Sequence, residues 1–195
     1  MAGHIHIPMF PLTLLPLPGE LVPLHIFEPR YKELLHDVES EDITFGIYFN
    51  HSINIEKIGA LMKLESIIKR YPSGESDIIV RCIDIFKLDT LFRTFNARPY
   101  PGGDAHLTEE EAMLIPSQGL YDLFSEYMVL RNIKNHFTAF DHYQIANELA
   151  LDVHERYELL TATVDNKEKF LKGQLRFQLH ILKQEEQSKS VFHLN

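Results

Sequence analysis

Three groupings in the 195-residue sequence bring together residue types that do chemistry. Ser66-x-x-Lys69 offers a hydroxyl and an amine, the parts of a serine nucleophile and its base. That pair works on a helix, where positions i and i+3 meet. Here it lies in "IGALMKLESIIKR" (58–70), which reads as a strand, and there a spacing of three sends side chains to opposite faces. No catalysis is expected from it. His4-x-His6 puts two imidazoles on one face of a strand, half of a metal site. Spacing identifies no third ligand, so surface histidines are the plainer reading. The chain has 11 histidines but no H-E-x-x-H pattern. Cys82 sits in an apolar alternating run and reads as an inert buried thiol. No catalytic residue, metal or cofactor is expected.

The elements that would position such residues begin with "FPLTLLPLPGELVPLHIFEPRY" (10–31). Pro8, Pro11, Pro16, Pro18, Pro23 and Pro29 forbid a helix interior here. They leave short extended pieces, since proline in a sheet belongs at edges, strand starts and bulges. Pro18-Gly19 is a turn signal, with Gly19 at positive φ. Leu21, Val22 and Leu24 resume the strand. At Pro29 the period changes. Proline suits the first helical position, and Tyr31, Leu34, Leu35 and Val38 fall at i, i+3, i+4 and i+7. That stripe reads as core, with Arg30, Lys32, Glu33, Asp37 and Glu39 off it. Arg30 reads as a solvated side chain or as a brace of the helix start. The helix runs into "ESED", electrostatically a poor C-terminus, and fraying is expected there.

"IPMFPLTLLPLPGELVPLHIFEPRYKELL" closely resembles the start of the N-terminal, substrate-binding domain of Lon (La) ATP-dependent proteases. Pro8, Phe10, Pro11, Leu12, Pro18, Gly19, Pro23, Leu24, Ile26, Phe27, Glu28, Pro29, Arg30 and Tyr31 carry the resemblance. It implies an α+β fold: a PUA-like β-pseudobarrel with one inserted helix, followed by a C-terminal helical bundle. The expected division is a barrel subdomain at 1–110 and a helical subdomain at 111–195 packed on it, with the acidic "TEEEAM" near the boundary.

The rest of the chain fits that division. "ITFGIYF" (43–49) is a strand by propensity. "DIIVRCIDIFKLDTLFRTF" alternates and is read as two strands joined near "FKLD". "RPYPGGDAHL" reads as a loop leading into a last strand. Beyond residue 109 the period is helical. Leu120, Leu123, Phe124, Tyr127 and Met128 make one stripe, and Leu171, Leu175, Leu179 and Leu182 make another. Asp141-x-x-Gln144 and Asp165-x-x-Glu168 are expected helix caps.

A net charge of −9 opposes nucleic-acid and anionic-membrane partners. No apolar run reaches the roughly 18 residues of a membrane span. The prolines break any signal-peptide helix, and a single cysteine excludes an internal disulfide. A cytoplasmic protein is expected. No G-x-x-x-x-G-K-[ST] occurs, so the phosphate loop of a Lon ATPase is missing. The resemblance therefore implies a non-catalytic module that binds a polypeptide substrate or a partner protein, a separate protease among them. The anchors expected for it are Phe27, Arg30, Tyr71, Phe92, Phe95 and Tyr100. The alternative, an RNA-binding role known for other PUA-like barrels, lacks a basic stripe.

Overall fold

A computed structural model describes residues 3–108, 115–134 and 140–192. Most of "TEEEAM" lies outside the described residues. The chain divides into two compact units, Met1–Glu110 and Glu111–Asn195.

The first unit contains β1 (His4–Leu12), β2 (Leu21–Ile26), α1 (Pro29–Glu41), β3 (Phe45–Phe49), β4 (Ile58–Arg70), β5 (Ser76–Phe92) and β6 (Gly102–Leu107). The sheet order is β2-β5-β4-β3-β1-β6, and β6 pairs back onto β5. Five strands thus close a ring, and β2 hangs outside it on β5. Ile7, Met9, Leu61, Phe86, Leu88 and Ala105 pack into one buried cluster on one face of this sheet.

The prolines follow from this topology. His4–Pro8 of β1 pairs with β6, and Met9–Leu12 pairs with β3. Pro8 and Pro11 therefore sit where β1 has a partner on one side only. Pro23 lies in β2, which has one neighbour along its whole length. Between these strands the loop turns inward. Leu15 and Leu17 are buried, and Gly19 has φ 83°. Gly19 N donates to the Cys82 carbonyl at 2.9 Å, and Cys82 N donates to that of Glu20 at 3.0 Å.

One expectation fails in this unit. Residues 76–92 form one 17-residue strand, not two. What changes along it is the partner: β2 pairs with Ser76–Arg81, β6 takes Phe86–Phe92, and β4 holds the other edge as far as Lys87. A register shift between Leu88 and Thr90 absorbs the bend. The helix α1 ends inside "ESED" at Glu41, with Asp42 in the left-handed conformation. The basic groups missing from its last turn come from β4. Arg70 Nη2 lies 2.6 Å from Glu39 Oε2, and Lys63 Nζ 3.6 Å from Asp42 Oδ1.

The second unit has α2 (Gln118–Leu130), α3 (His142–Glu148), α4 (Val153–Thr161) and α5 (Val164–Phe192). The first three all pack against α5. Leu120, Phe124 and Tyr127 are buried, as are Leu171, Leu175 and Leu179. Asp141 and Gln144 form the expected capping box, and Asp152 with Glu155 forms a second one that starts α4. Asp165 does not cap α5. The helix begins at Val164, and the Thr163 carbonyl accepts from the N–H groups of Asn166 and Lys167. Glu168 instead caps another helix: its carboxylate accepts from Ser117 Oγ and from Ser117 N (3.3 Å) at the start of α2. Lys172 Nζ lies 2.5 Å from Glu168 Oε1. These bonds, led by Lys172 and Ser117, hold the Glu168 carboxyl down to about 2.

Candidate functional site: the free edge of β2

The structure sorts the six expected anchors into two groups at opposite ends of β5. Phe27 and Tyr71 belong to the first. Strand alternation turns Ile26 into the core, so Phe27 faces outward and is 57% exposed. His25, two residues back, lies opposite Asp77, and Asp77 lies opposite Lys69. His25 Nδ1 hydrogen-bonds Asp77 Oδ1 at 2.6 Å, and the Tyr71 hydroxyl donates to Asp77 Oδ2 at 2.7 Å. The His25 bond, then that of Tyr71, hold the Asp77 carboxyl below its usual range, and the bond to Asp77 holds the Tyr71 phenol above its own. One carboxylate thereby orients two rings. The Phe27 ring lies 6.0 Å from His25 at 21°, and Tyr71 meets His25 edge-on at 5.9 Å. Lys69 Nζ sits 4.3 Å above the Tyr71 ring, which takes that amine away from Ser66.

Arg30 follows Phe27 closely in the chain. It is half exposed, pairs with Glu28 Oε2 at 2.9 Å, and lays its guanidinium 4.6 Å over the Tyr31 ring. This is the solvated reading of Arg30, with the group sheltering the helix start. Tyr31 itself is buried, and burial pushes its phenol up. Beside this cluster runs the far edge of the six-residue β2, which no strand among the described residues pairs with, and Leu21 is exposed at its far end.

The second group departs from expectation. Phe92 is half-buried, 6.0 Å from the His6 ring. Phe95 is buried between His6 at 4.7 Å and Tyr100 at 6.1 Å. It lies over Gly102, where an added Cβ would come 2.2 Å from the ring. Tyr100 is 2% exposed and donates its hydroxyl to Asp37 Oδ2 at 2.8 Å. Burial and then that bond hold its phenol far above the usual range. Phe95 and Tyr100 are therefore core residues, not exposed anchors. Asp37 went unnoticed in the sequence because it lies off the apolar stripe. It is buried, and Arg98 donates to it at 3.1 Å and to Glu33 at 3.2 Å. An open cleft of about 490 Å³ adjoins this end, lined in part by His6, Glu41, Asp42 and Phe95.

The profile of the ATP-dependent protease La (LON) substrate-binding domain matches residues 6–187. The chain belongs to the LON substrate-binding domain family. Among solved structures, the Lon N-terminal domain protein from Xanthomonas campestris aligns with a TM-score of 0.64 at 20% identity, over 81% of this chain and 90% of that one. At this identity the likeness is one of fold. The N-terminal domain of the Mycobacterium avium complex Lon protease aligns with a TM-score of 0.48 at 14% identity, over 91% and 96%. No curated protein sequence matches. The LON match spans both units. The stretch Phe27-Glu28-Pro29-Arg30-Tyr31 lies inside this match, joins β2 to α1 and carries two of the expected anchors, Phe27 and Arg30. Among the described residues, no helix is long and apolar enough to cross a membrane.

Proposed function

We propose that this chain is a non-catalytic polypeptide-binding module of the cytoplasm, and that it takes an extended stretch of polypeptide along the free edge of β2. The observation that carries this reading is an unpaired strand edge with a fixed, exposed aromatic ring at one end and an exposed leucine at the other. An added strand would satisfy the idle backbone groups of β2, and side chains at its ends would supply selectivity. Six residues span about 20 Å. Pro23 contributes no donor, which limits the backbone share and leaves much of the affinity to Phe27, Tyr71 and Leu21. Covering an exposed phenylalanine contributes about 1.5–3 kcal/mol, worth roughly 10- to 100-fold in affinity. The occupant is a substrate or a partner protein, a separate protease included. The net charge of −9 favours a polypeptide over a nucleic acid.

The test is fluorescence anisotropy with a labelled, reduced and alkylated polypeptide that cannot fold. Phe27→Ala is expected to weaken binding by about tenfold or more, with the denaturant midpoint of the module unchanged. Absence of binding, or equal binding by the wild type and by Phe27→Ala, overturns the proposal.

A further inference from the structure

The backbone of β2 alternates between two destinations. Cys82 N donates to the Glu20 carbonyl at 3.0 Å, so the position just before Leu21 is bonded across the ladder to β5. In an antiparallel ladder, bonded and non-bonded pairs alternate. Val22, Leu24 and Ile26 therefore direct their backbone groups to β5, and Leu21, Pro23 and His25 direct theirs to the free edge. The other side of β5 agrees in phase. Tyr71 N donates to the Glu75 carbonyl at 2.9 Å, which places Asp77, opposite Lys69, in the set bonded to β4. Pro23 has no N–H, and it falls in the outward set, where the ladder to β5 loses nothing. The free edge thus offers the carbonyls of Leu21, Pro23 and His25 and the N–H groups of Leu21 and His25.

An added strand meets these carbonyls with N–H groups on every second residue. A guest residue opposite Leu21, Pro23 or His25 puts its side chain on their outward face. The intervening residues fall beside Val22 and Leu24, both half-buried. Near His25 the outward face carries carboxylates. Asp77 Oδ1 lies 2.6 Å from His25 Nδ1, and Glu75 Oε2 lies 3.7 Å from His25 Nε2, both acids being partly exposed. Of the cations nearby, Arg30 is paired with Glu28, and Lys69 belongs to β4, across β5 from the free edge. A guest side chain that reaches over His25 meets the two carboxylates.

Resting on the reading of β2 as a strand-capturing edge, we infer that it selects a polypeptide segment in which apolar and basic residues alternate. The apolar residues lie toward Val22 and Leu24, and a lysine or arginine lies over His25. An acidic residue there faces Glu75 and Asp77, and like charges across neighbouring strands repel. Proline is excluded from the guest positions that must donate.

The probe is a short fluorescent peptide of alternating valine and lysine with blocked ends, and anisotropy at low salt reads its affinity for the full chain. N-methylation of every lysine amide, or of every valine amide, removes the donors from one edge of the peptide. One methylated peptide should bind at least about tenfold more weakly, and the other should bind unchanged. Replacing the lysines by glutamates should cost about tenfold or more in affinity, and Glu75→Gln should narrow that gap severalfold. Pro23→Ala supplies the missing N–H and should tighten binding about two- to tenfold, a gain that a misfolded variant cannot mimic. If neither this peptide nor the reduced and alkylated polypeptide binds, strand capture and this selectivity fall together. The alkylated polypeptide may bind and lose affinity in Phe27→Ala while the two methylated peptides bind alike, or while Glu75→Gln leaves the lysine–glutamate gap unchanged; either result overturns this inference and leaves the capture itself standing.

Discussion

Replacing Tyr31 by alanine tests whether the helix start is core or binding surface. Tyr31 is 4% exposed and stacks on Phe10 with ring centroids 3.9 Å apart. Leu34, Leu35, Val38, Ile26, Phe45 and Ile78 complete an apolar wall around a void of only about 10 Å³. Truncation leaves a cavity that these neighbours cannot fill without breaking their own contacts. Removing a buried aromatic side chain costs about 3–5 kcal/mol, of which the ring pair supplies roughly 1 kcal/mol. Alanine recovers about 0.5 kcal/mol as the better helix former. The net expectation is a loss of about 3 kcal/mol. With a urea slope of about 2 kcal/mol per molar, the midpoint falls by about 1.5 M. Arg30→Ala removes one exposed pair to Glu28 and a contact over a ring, and should cost under about 1 kcal/mol. Near-ultraviolet circular dichroism during urea unfolding reads both variants, and the anisotropy assay runs alongside. A Tyr31→Ala protein of wild-type midpoint that no longer binds polypeptide refutes the reasoning and makes Tyr31 the anchor.

Gly59→Ala should lower the melting temperature by an amount equivalent to about 1–3 kcal/mol, because its Cβ would meet Phe86 at 2.4 Å and the Ile47 carbonyl at 2.7 Å; an unchanged melting temperature shows that the strands can part there. Glu168 contributes through a pH dependence whose sign is set by its lowered value: its stabilisation is present above the ordinary 4.5 and is lost as pH falls through about 2. Acid unfolding of the helical unit, followed by far-ultraviolet circular dichroism, should separate the wild type from Glu168→Gln above pH 4.5 and merge them near 2; curves that coincide throughout contradict this.

Much of the first unit was legible because its signals are local. Pro29 and the Tyr31–Val38 stripe mark α1, Pro18-Gly19 marks the turn, and β-branched and aromatic residues mark β3. What stayed hidden depends on partners far along the chain. Asp37 looked like a solvated helix residue until Arg98 and Tyr100, 61 and 63 positions away, supplied its bonds. Residue type marked Phe27 and Phe95 alike as candidates. Only packing separates them, since Phe95 is roofed by His6 and seated on Gly102, and Phe27 follows the last inward residue of β2.

The long strand β5 explains why an open edge exists at all. Its one side is shared between β2 and β6, and β6 is the strand that returns to close the ring. β2 cannot close it, because Phe27 and Glu28 lead directly into α1 at Pro29. An exposed edge is a liability, since unpaired backbone groups invite indiscriminate pairing. Here it is kept short, interrupted by Pro23, and bordered by the Asp77–His25 bond. Those features weaken pairing with a second edge of the same kind while leaving Leu21 and Phe27 exposed at its ends. A strand built only for stability would have no reason to hold aromatic rings in place beside an unpaired edge, and that combination is what favours reversible capture of a foreign chain over a simple structural border.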